Sequence, residues 1–119
     1  MEQFKKKGIF DFFFENRSSL ILQYTNGDIS KKEFLEYNFN FVQSMNLKPF
    51  SKIDSYEKGM YNYQYYNVLA KYYTMMARDI KRAGKHMKYY KYYKNLGNEY
   101  YQKKDQATYQ LLKYLEFKN

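Results

Sequence analysis

Cysteine and tryptophan are absent from this 119-residue chain, and proline and histidine occur once each. Without cysteine there can be no disulfide bond, thiolate nucleophile or cysteine-ligated zinc or iron–sulfur site. A single histidine, His86, and the lack of a glycine-rich phosphate loop leave no residue set that resembles catalytic machinery. We therefore predict a protein that is not an enzyme and that uses no cofactor, metal ion or small-molecule substrate.

Long hydrophobic runs are also lacking, and none approaches the roughly 18 residues needed to cross a bilayer. Lys5, Lys6 and Lys7 precede a phenylalanine-rich stretch, as in a signal peptide, but Asp11 and Glu15 interrupt that stretch. The same segment could anchor the protein at a membrane surface, although we expect its rings to enter the core. We predict a cytoplasmic protein with no transmembrane segment.

The chain is rich in tyrosine and in positive charge, with 17 tyrosines, 10 phenylalanines and a formal net charge of +9. Leucine, isoleucine and valine are scarcer than these aromatic residues, so the core must be largely aromatic. Lysine far outnumbers arginine, and part of that bias reflects AT-rich codons. Most of the tyrosines lie between Tyr56 and Tyr101, which makes this the most informative part of the chain.

Helical spacing of apolar residues predicts a first helix over about residues 9–24 and a second after residue 30. Asn26 and Gly27 favour a helix end, because both tolerate the left-handed conformation. Ser30, followed three residues later by Glu33, predicts a capping box at the start of the second helix. The segment 46–53 contains Pro49 and is predicted to be a loop.

The second half of the sequence predicts a long third helix that runs from an N-cap at Asp54 to about residue 83. This helix is expected either to kink near Gly59 or to project from the domain. Gly84 is predicted to end it. A fourth helix to about residue 103 and a short last helix from Asp105 complete the prediction. The expected fold is all-α, a single domain over residues 1–119 in which four to five antiparallel helices form a compact bundle with one long third helix.

Residues 95–101, which read Asn-Leu-Gly-Asn-Glu-Tyr-Tyr, resemble part of the first helix of a tetratricopeptide repeat. No second unit occurs at the 34-residue period of that family, and one repeat cannot bury its own faces. The resemblance is therefore weak and partial. Its physical content is a predicted close helix–helix contact at Leu96 and Gly97.

A basic and aromatic segment near residues 81–94 is the candidate binding surface. It contains no acidic residue, and its lysines could neutralise phosphates while its tyrosines stack on unpaired bases. The alternative is a solvated helix face beside an aromatic core. The candidate residues are Lys81, Arg82, Lys85, Lys88, Tyr89, Lys91, Tyr92 and Lys94.

Residues 27–34, 47–50 and 63–73 resemble a family of short uncharacterised proteins from AT-rich Gram-positive bacteria. The resemblance implies a bacterial, cytosolic, helical protein, and it implies no known activity or site residue.

Three functional hypotheses follow from the residues. The leading one is a helical interaction module that offers a tyrosine-lined, lysine-rimmed surface to a protein partner or to a second copy of itself. The alternative is binding of RNA, DNA or another polyanion through residues 81–94. This binding would be non-sequence-specific, because few arginines are available to read bases. A third is a structural role in an assembled layer.

Overall fold

The computed structural model describes residues 8–84 and 86–118, which form four helices. They are α1 (Ile9–Thr25), α2 (Lys31–Met45), α3 (Tyr56–Arg82) and α4 (Met87–Lys118). No strand occurs in these described ranges, so the predicted all-α class is confirmed. None of their helices is long and apolar enough to span a membrane.

The connection between α1 and α2 has the turn chemistry predicted from the sequence. Gly27 has φ +81°, a conformation that glycine adopts without steric cost. Ser30 caps α2, since its hydroxyl accepts a hydrogen bond from the Glu33 backbone N–H at 3.1 Å. The Glu33 carboxylate accepts one in return from the Ser30 backbone N–H at 2.8 Å. The capping box is therefore confirmed.

Helix α3 begins one residue later than predicted and is not interrupted. Ser55, rather than Asp54, is the N-cap, and its hydroxyl accepts from the Lys58 backbone N–H at 3.2 Å. The helix continues through Gly59 without a break, so Gly59 does not end it. Gly59 instead allows Leu111 of α4 to lie against the α3 backbone. The predicted stop is confirmed, because Gly84 has φ +67°.

Helix α4 spans both of the segments that the sequence pattern predicts as a fourth and a fifth helix. It has 32 residues, a length of about 48 Å, and is longer than α3. Asp105 lies within it and is exposed, so the prediction of a helix start there was wrong. Aspartate has only a modest helix penalty, and no glycine or proline follows Gly97 to end the helix.

Helices α3 and α4 are antiparallel partners along most of their length. Lys81 faces Tyr90 near the connecting turn, Thr74 faces Gly97 in the middle, and Gly59 faces Leu111 at the far end. The residue numbers of each pair sum to about the same value, which is the pattern of one antiparallel register. Pairing with α4 accommodates the length of α3.

Helices α1 and α2 pack on another side of α3, and the core lies where these three helices meet. Its buried residues are Phe13, Val42, Tyr61, Val68 and Leu69. Phe13 and Tyr61 are both fully buried, with ring centroids 4.9 Å apart in an edge-to-face contact. Tyr61 donates its hydroxyl hydrogen to the Leu47 carbonyl. Phe10, Phe13 and Phe14 of α1 thus enter the core as expected, whereas Phe12 is exposed. The three lysines before them lie outside the described residues.

Candidate functional site

The seam between α3 and α4 has two chemically different flanks, separated by the contact between Thr74 and Gly97. A Cβ on Gly97 would lie 2.6 Å from the Thr74 hydroxyl and 3.3 Å from its backbone nitrogen, so only glycine permits this approach. The close contact predicted at Gly97 is therefore present. Because successive helix residues point about 100° apart, neighbours in sequence on each helix face opposite flanks.

One flank, here called the tyrosine flank, is formed by Tyr66, Tyr73, Tyr93 and Tyr100. Tyr73 stacks on Tyr93 with ring centroids 6.0 Å apart and on Tyr100 at 5.8 Å, and Tyr100 stacks on Tyr66 at 6.3 Å. Burial is the main cause that raises the pKa of the Tyr73 phenol, and the nearby Tyr100 adds to it. These rings form a continuous column that holds the two helices together.

The other flank is a cationic groove made of two adjoining cavities. The turn-side cavity, of about 280 Å³, lies near the connection between α3 and α4. The Nζ atoms of Lys81 and Lys94 lie 5.5 Å and 5.7 Å from the centroid of the Tyr90 ring. The cavity is lined by Thr74, Ala77, Arg78, Lys81, Tyr90, Lys94 and Asn98.

The α2-side cavity, of about 220 Å³, continues the groove toward α1 and α2. It shares Thr74 and Arg78 with the turn-side cavity, so the two form one path along α3. Residues from all four helices line it: Tyr24, Lys31, Phe34, Leu35, Lys71, Thr74, Met75, Arg78 and Tyr101.

Within the part of the chain that the structure describes, five cations of the groove have no acidic partner. Across residues 8–84 and 86–118, the ion pairs are Lys32–Asp79, Lys58–Asp54, Lys103–Glu99 and Lys104–Asp105. None of these involves the groove cations, which are Lys31, Lys71, Arg78, Lys81 and Lys94. Unpaired charges of one sign that converge on a cavity repel one another and attract an anion.

The pKa of Lys71 reflects this positive environment. Although the side chain as a whole is exposed, partial desolvation of its amine lowers the pKa of Lys71, and the charges of Arg17, Lys104 and Lys31 lower it further. Arg17 lies beneath it, where its guanidinium donates to the Asn38 side-chain oxygen at 3.0 Å. Burial also lowers the pKa of Arg17.

The predicted surface residues divide between different sides of the molecule. Lys81 and Lys94 lie in the groove. Arg82, Lys88 and Lys91 are exposed outside it, and Lys85 lies outside the described residues. Lys81 is on α3 and Lys88 is on α4, so the two lysines do not share one helical face.

Tyr89 and Tyr92 are exposed at 49% and 58%. Tyr92 is two residues before Lys94, so it points about 160° away from it around α4. The structure therefore separates the exposed tyrosines of the predicted surface from its groove lysines, and Tyr90 is the ring that remains with them.

Sequence reasoning missed three groove residues of α3, namely Lys71, Thr74 and Arg78. They precede Lys81 at steps of three, four and three, which is the spacing of one helix face. That signal was present in the sequence. Lys31, Tyr24 and Tyr101 come from other helices and carry no comparable signal.

No group of three or more histidine, cysteine, aspartate or glutamate side chains that could hold a metal ion occurs in the described ranges. No curated protein and no solved structure matches this sequence significantly. A family of unknown function, DUF6648, matches residues 3–119. This match spans nearly the whole chain, so the protein belongs to the DUF6648 family.

Proposed function

We propose that this protein is a non-enzymatic module that binds single-stranded nucleic acid along the cationic groove. The observation that carries the proposal is the convergence of five cations, without acidic partners among the described residues, on two adjoining cavities with tyrosine in their walls. A positively charged groove combined with aromatic side chains is the arrangement by which proteins hold single strands without regard to sequence.

The type of cation supports a backbone-directed mode. Four of the five groove cations are lysines, which act as point charges and place little geometric demand on a phosphate. Arg78 is the one arginine among the described residues that line the groove, and reading guanine edges depends largely on arginine forks. The affinity should therefore depend strongly on salt concentration and only weakly on the base sequence.

The shape supports a flexible strand. The cations line hollows between helices and do not lie on a projecting helix that could enter a major groove. From Lys71 to Lys81 the path extends about 15 Å along α3. Tyr24, Tyr90 and Tyr101 lie in its walls, where a base could contact a ring.

Fluorescence anisotropy with labelled oligo-U and with a duplex of equal length tests the proposal. We expect the single strand to bind more tightly, with affinity that falls steeply as salt rises. The variant Lys81→Gln/Lys94→Gln should weaken binding by about tenfold or more. The matched control Lys52→Gln/Lys113→Gln removes the same charge outside the groove and should have a much smaller effect.

Equal losses in the two double variants would show that binding depends on net charge and not on the groove. Absence of strand binding at low salt would also overturn the proposal. A poly-glutamate chain at matched ionic strength provides the comparison with an acidic protein. If it bound more tightly than oligo-U, the partner would be an acidic protein and not a nucleic acid.

The predicted protein partner or homo-oligomer stays a prediction, and it would use a different surface. Met87, Tyr89 and Tyr92 expose 59%, 49% and 58% of their surface near the start of α4, and such side chains are common at protein interfaces. Sedimentation velocity over a range of concentrations tests self-association. A Tyr89→Ser/Tyr92→Ser variant should abolish any dimer, and a wild-type monomer at all concentrations would exclude one.

A further inference from the structure

The α2-side cavity brings together phosphate-binding groups from separate parts of the chain. Lys31 comes from the first turn of α2, and Lys71 and Arg78 come from α3, which also contributes Thr74 to the lining. Ammonium and guanidinium groups donate hydrogen bonds, and none of the three cations has a carboxylate partner among the described residues. An anion with several acceptor oxygens matches this set.

We propose that the α2-side cavity is a binding site for a phosphate group, and that its ligand is the phosphate of a nucleotide. This inference deepens the proposed function, because it assigns one phosphate of the bound strand to a defined place. It does not require the strand, since the same site would hold a free nucleoside monophosphate.

Arg17 provides a second observation that points to an anion. It is only partly accessible, and its described hydrogen-bond partner is the neutral amide of Asn38. Arg17 and Lys71 both line a small hollow next to the α2-side cavity, so Arg17 adds positive charge from below. A partly buried guanidinium that has no carboxylate partner among the described residues is costly, and a phosphate bound in the adjoining cavity would offset that cost.

The acidic residues nearest in sequence do not neutralise the site. The Glu33 carboxylate is held by the Ser30 backbone N–H at the start of α2. Asp79 pairs with Lys32, at 3.4 Å. Both carboxylates are therefore engaged with groups outside the lining of the cavity, and the charge within it stays positive.

The cavity walls offer a place for a nucleoside next to the phosphate. Tyr24 stacks on Phe34 with ring centroids 5.0 Å apart and planes inclined by 22°. Tyr101, from α4, lies on the same cavity. These rings form apolar surface beside the cations, as a ligand with one charged end and one aromatic end requires.

Isothermal titration calorimetry of the full chain with inorganic phosphate and with a nucleoside monophosphate tests the proposal, using chloride at equal ionic strength as the reference. We expect both phosphates to bind, the nucleotide more tightly. The variant Lys31→Gln/Lys71→Gln should weaken both by about tenfold or more, and circular dichroism should show that it remains folded. Lys52→Gln/Lys113→Gln is the charge-matched control.

The outcomes separate this inference from the proposed function. If phosphate binds the wild type but not the Lys31→Gln/Lys71→Gln variant, while oligo-U does not bind, the site stands and the strand-binding function fails. If oligo-U binds while phosphate does not bind, the site is overturned and the strand-binding function stands. The same conclusion follows if oligo-U binds and phosphate binds the Lys31→Gln/Lys71→Gln variant as tightly as the Lys52→Gln/Lys113→Gln variant. When both hold, the salt slope of strand binding should fall by about 0.7 for each phosphate that a substituted lysine no longer neutralises.

Discussion

The two flanks of the α3–α4 seam use neighbouring residues for opposite purposes. On the tyrosine flank, Tyr73 contacts Tyr93 and Tyr100, and each ring finds a partner. On the other flank, Lys94 and Arg78 line a cavity in which no cation of the described groove is paired with an acid. The first arrangement stabilises the fold, and the second costs stability through repulsion between like charges. A feature that opposes stability indicates binding more strongly than one that supports it.

The largest expected effect comes from removing the central ring of the tyrosine flank. Tyr73 also contacts Phe39 and Tyr72, so Tyr73→Ala should lower the free energy of unfolding by about 2–4 kcal/mol. Urea denaturation measures this loss. Tyr92→Ala, at an exposed ring, should change stability by no more than about 0.5 kcal/mol. Comparable losses in both variants would show that the column has no special role.

High pH should destabilise the fold through its buried and partly buried tyrosines. Burial raises the pKa of Tyr61 to about 12, and burial also raises the pKa of Tyr65 and of Tyr73. The unfolded chain loses these phenol protons near pH 10 and the folded chain retains them. Stability is therefore full below about pH 10 and falls as pH rises toward 12.

Tyr61 alone should account for roughly 2–3 kcal/mol of that fall. Denaturant titrations at several pH values, with phenolate absorbance as a second measurement, would detect it. Tyr61→Phe should show a shallower decline with pH. The interpretation fails if wild type and variant lose stability in parallel.

Widening the seam tests the contact that separates the flanks. Gly97→Ala places a methyl group against the Thr74 side chain and its backbone, and the backbone cannot move away without displacing a helix. After the gain in helix propensity, we expect a net loss of about 1–2 kcal/mol. Gly59→Ala is the comparison, because the new methyl would meet side-chain atoms and no backbone: a Leu111 methyl at 2.7 Å, which can rotate away, and an Ile53 methyl at 3.3 Å. It should cost less than Gly97→Ala.

The smallest expected effect has the opposite sign. Lys71→Gln relieves repulsion from Arg17, Lys104 and Lys31, so it should raise stability by a few tenths of a kcal/mol. Differential scanning calorimetry at low salt would detect a slightly higher Tm, with the difference shrinking as salt screens the charges. Lys113→Gln should not change Tm. A lower Tm for Lys71→Gln would contradict a repulsive cluster.

Much of the fold could be predicted because its signals are local. The ends of α1 and α3, at Gly27 and Gly84, and the Ser30 cap each depend on a few adjacent residues. The predicted helix start at Asp105 was wrong because it treated a local preference as decisive. Pairing of α3 with α4 over most of their length overrode that preference.

The candidate site was predicted only in part. Lys81 and Lys94 were identified by their charge, but they were grouped with Lys88, Tyr89 and Tyr92, which face elsewhere. Helical spacing separates Tyr92 from Lys94, but only the packing of α4 on α3 shows which of the two lies in the groove. The contribution of α2 to the site is invisible until the helices are packed.

The sequence by itself determined the helical class, the aromatic composition of the core and the excess of positive charge, because periodicity, caps and composition are properties of the chain alone. Only the tertiary structure decided which tyrosines stack and which lysines converge. The reason is the antiparallel register of α3 and α4, in which Gly97 lies against Thr74. That register directs Tyr93 to one flank and Lys94 to the other.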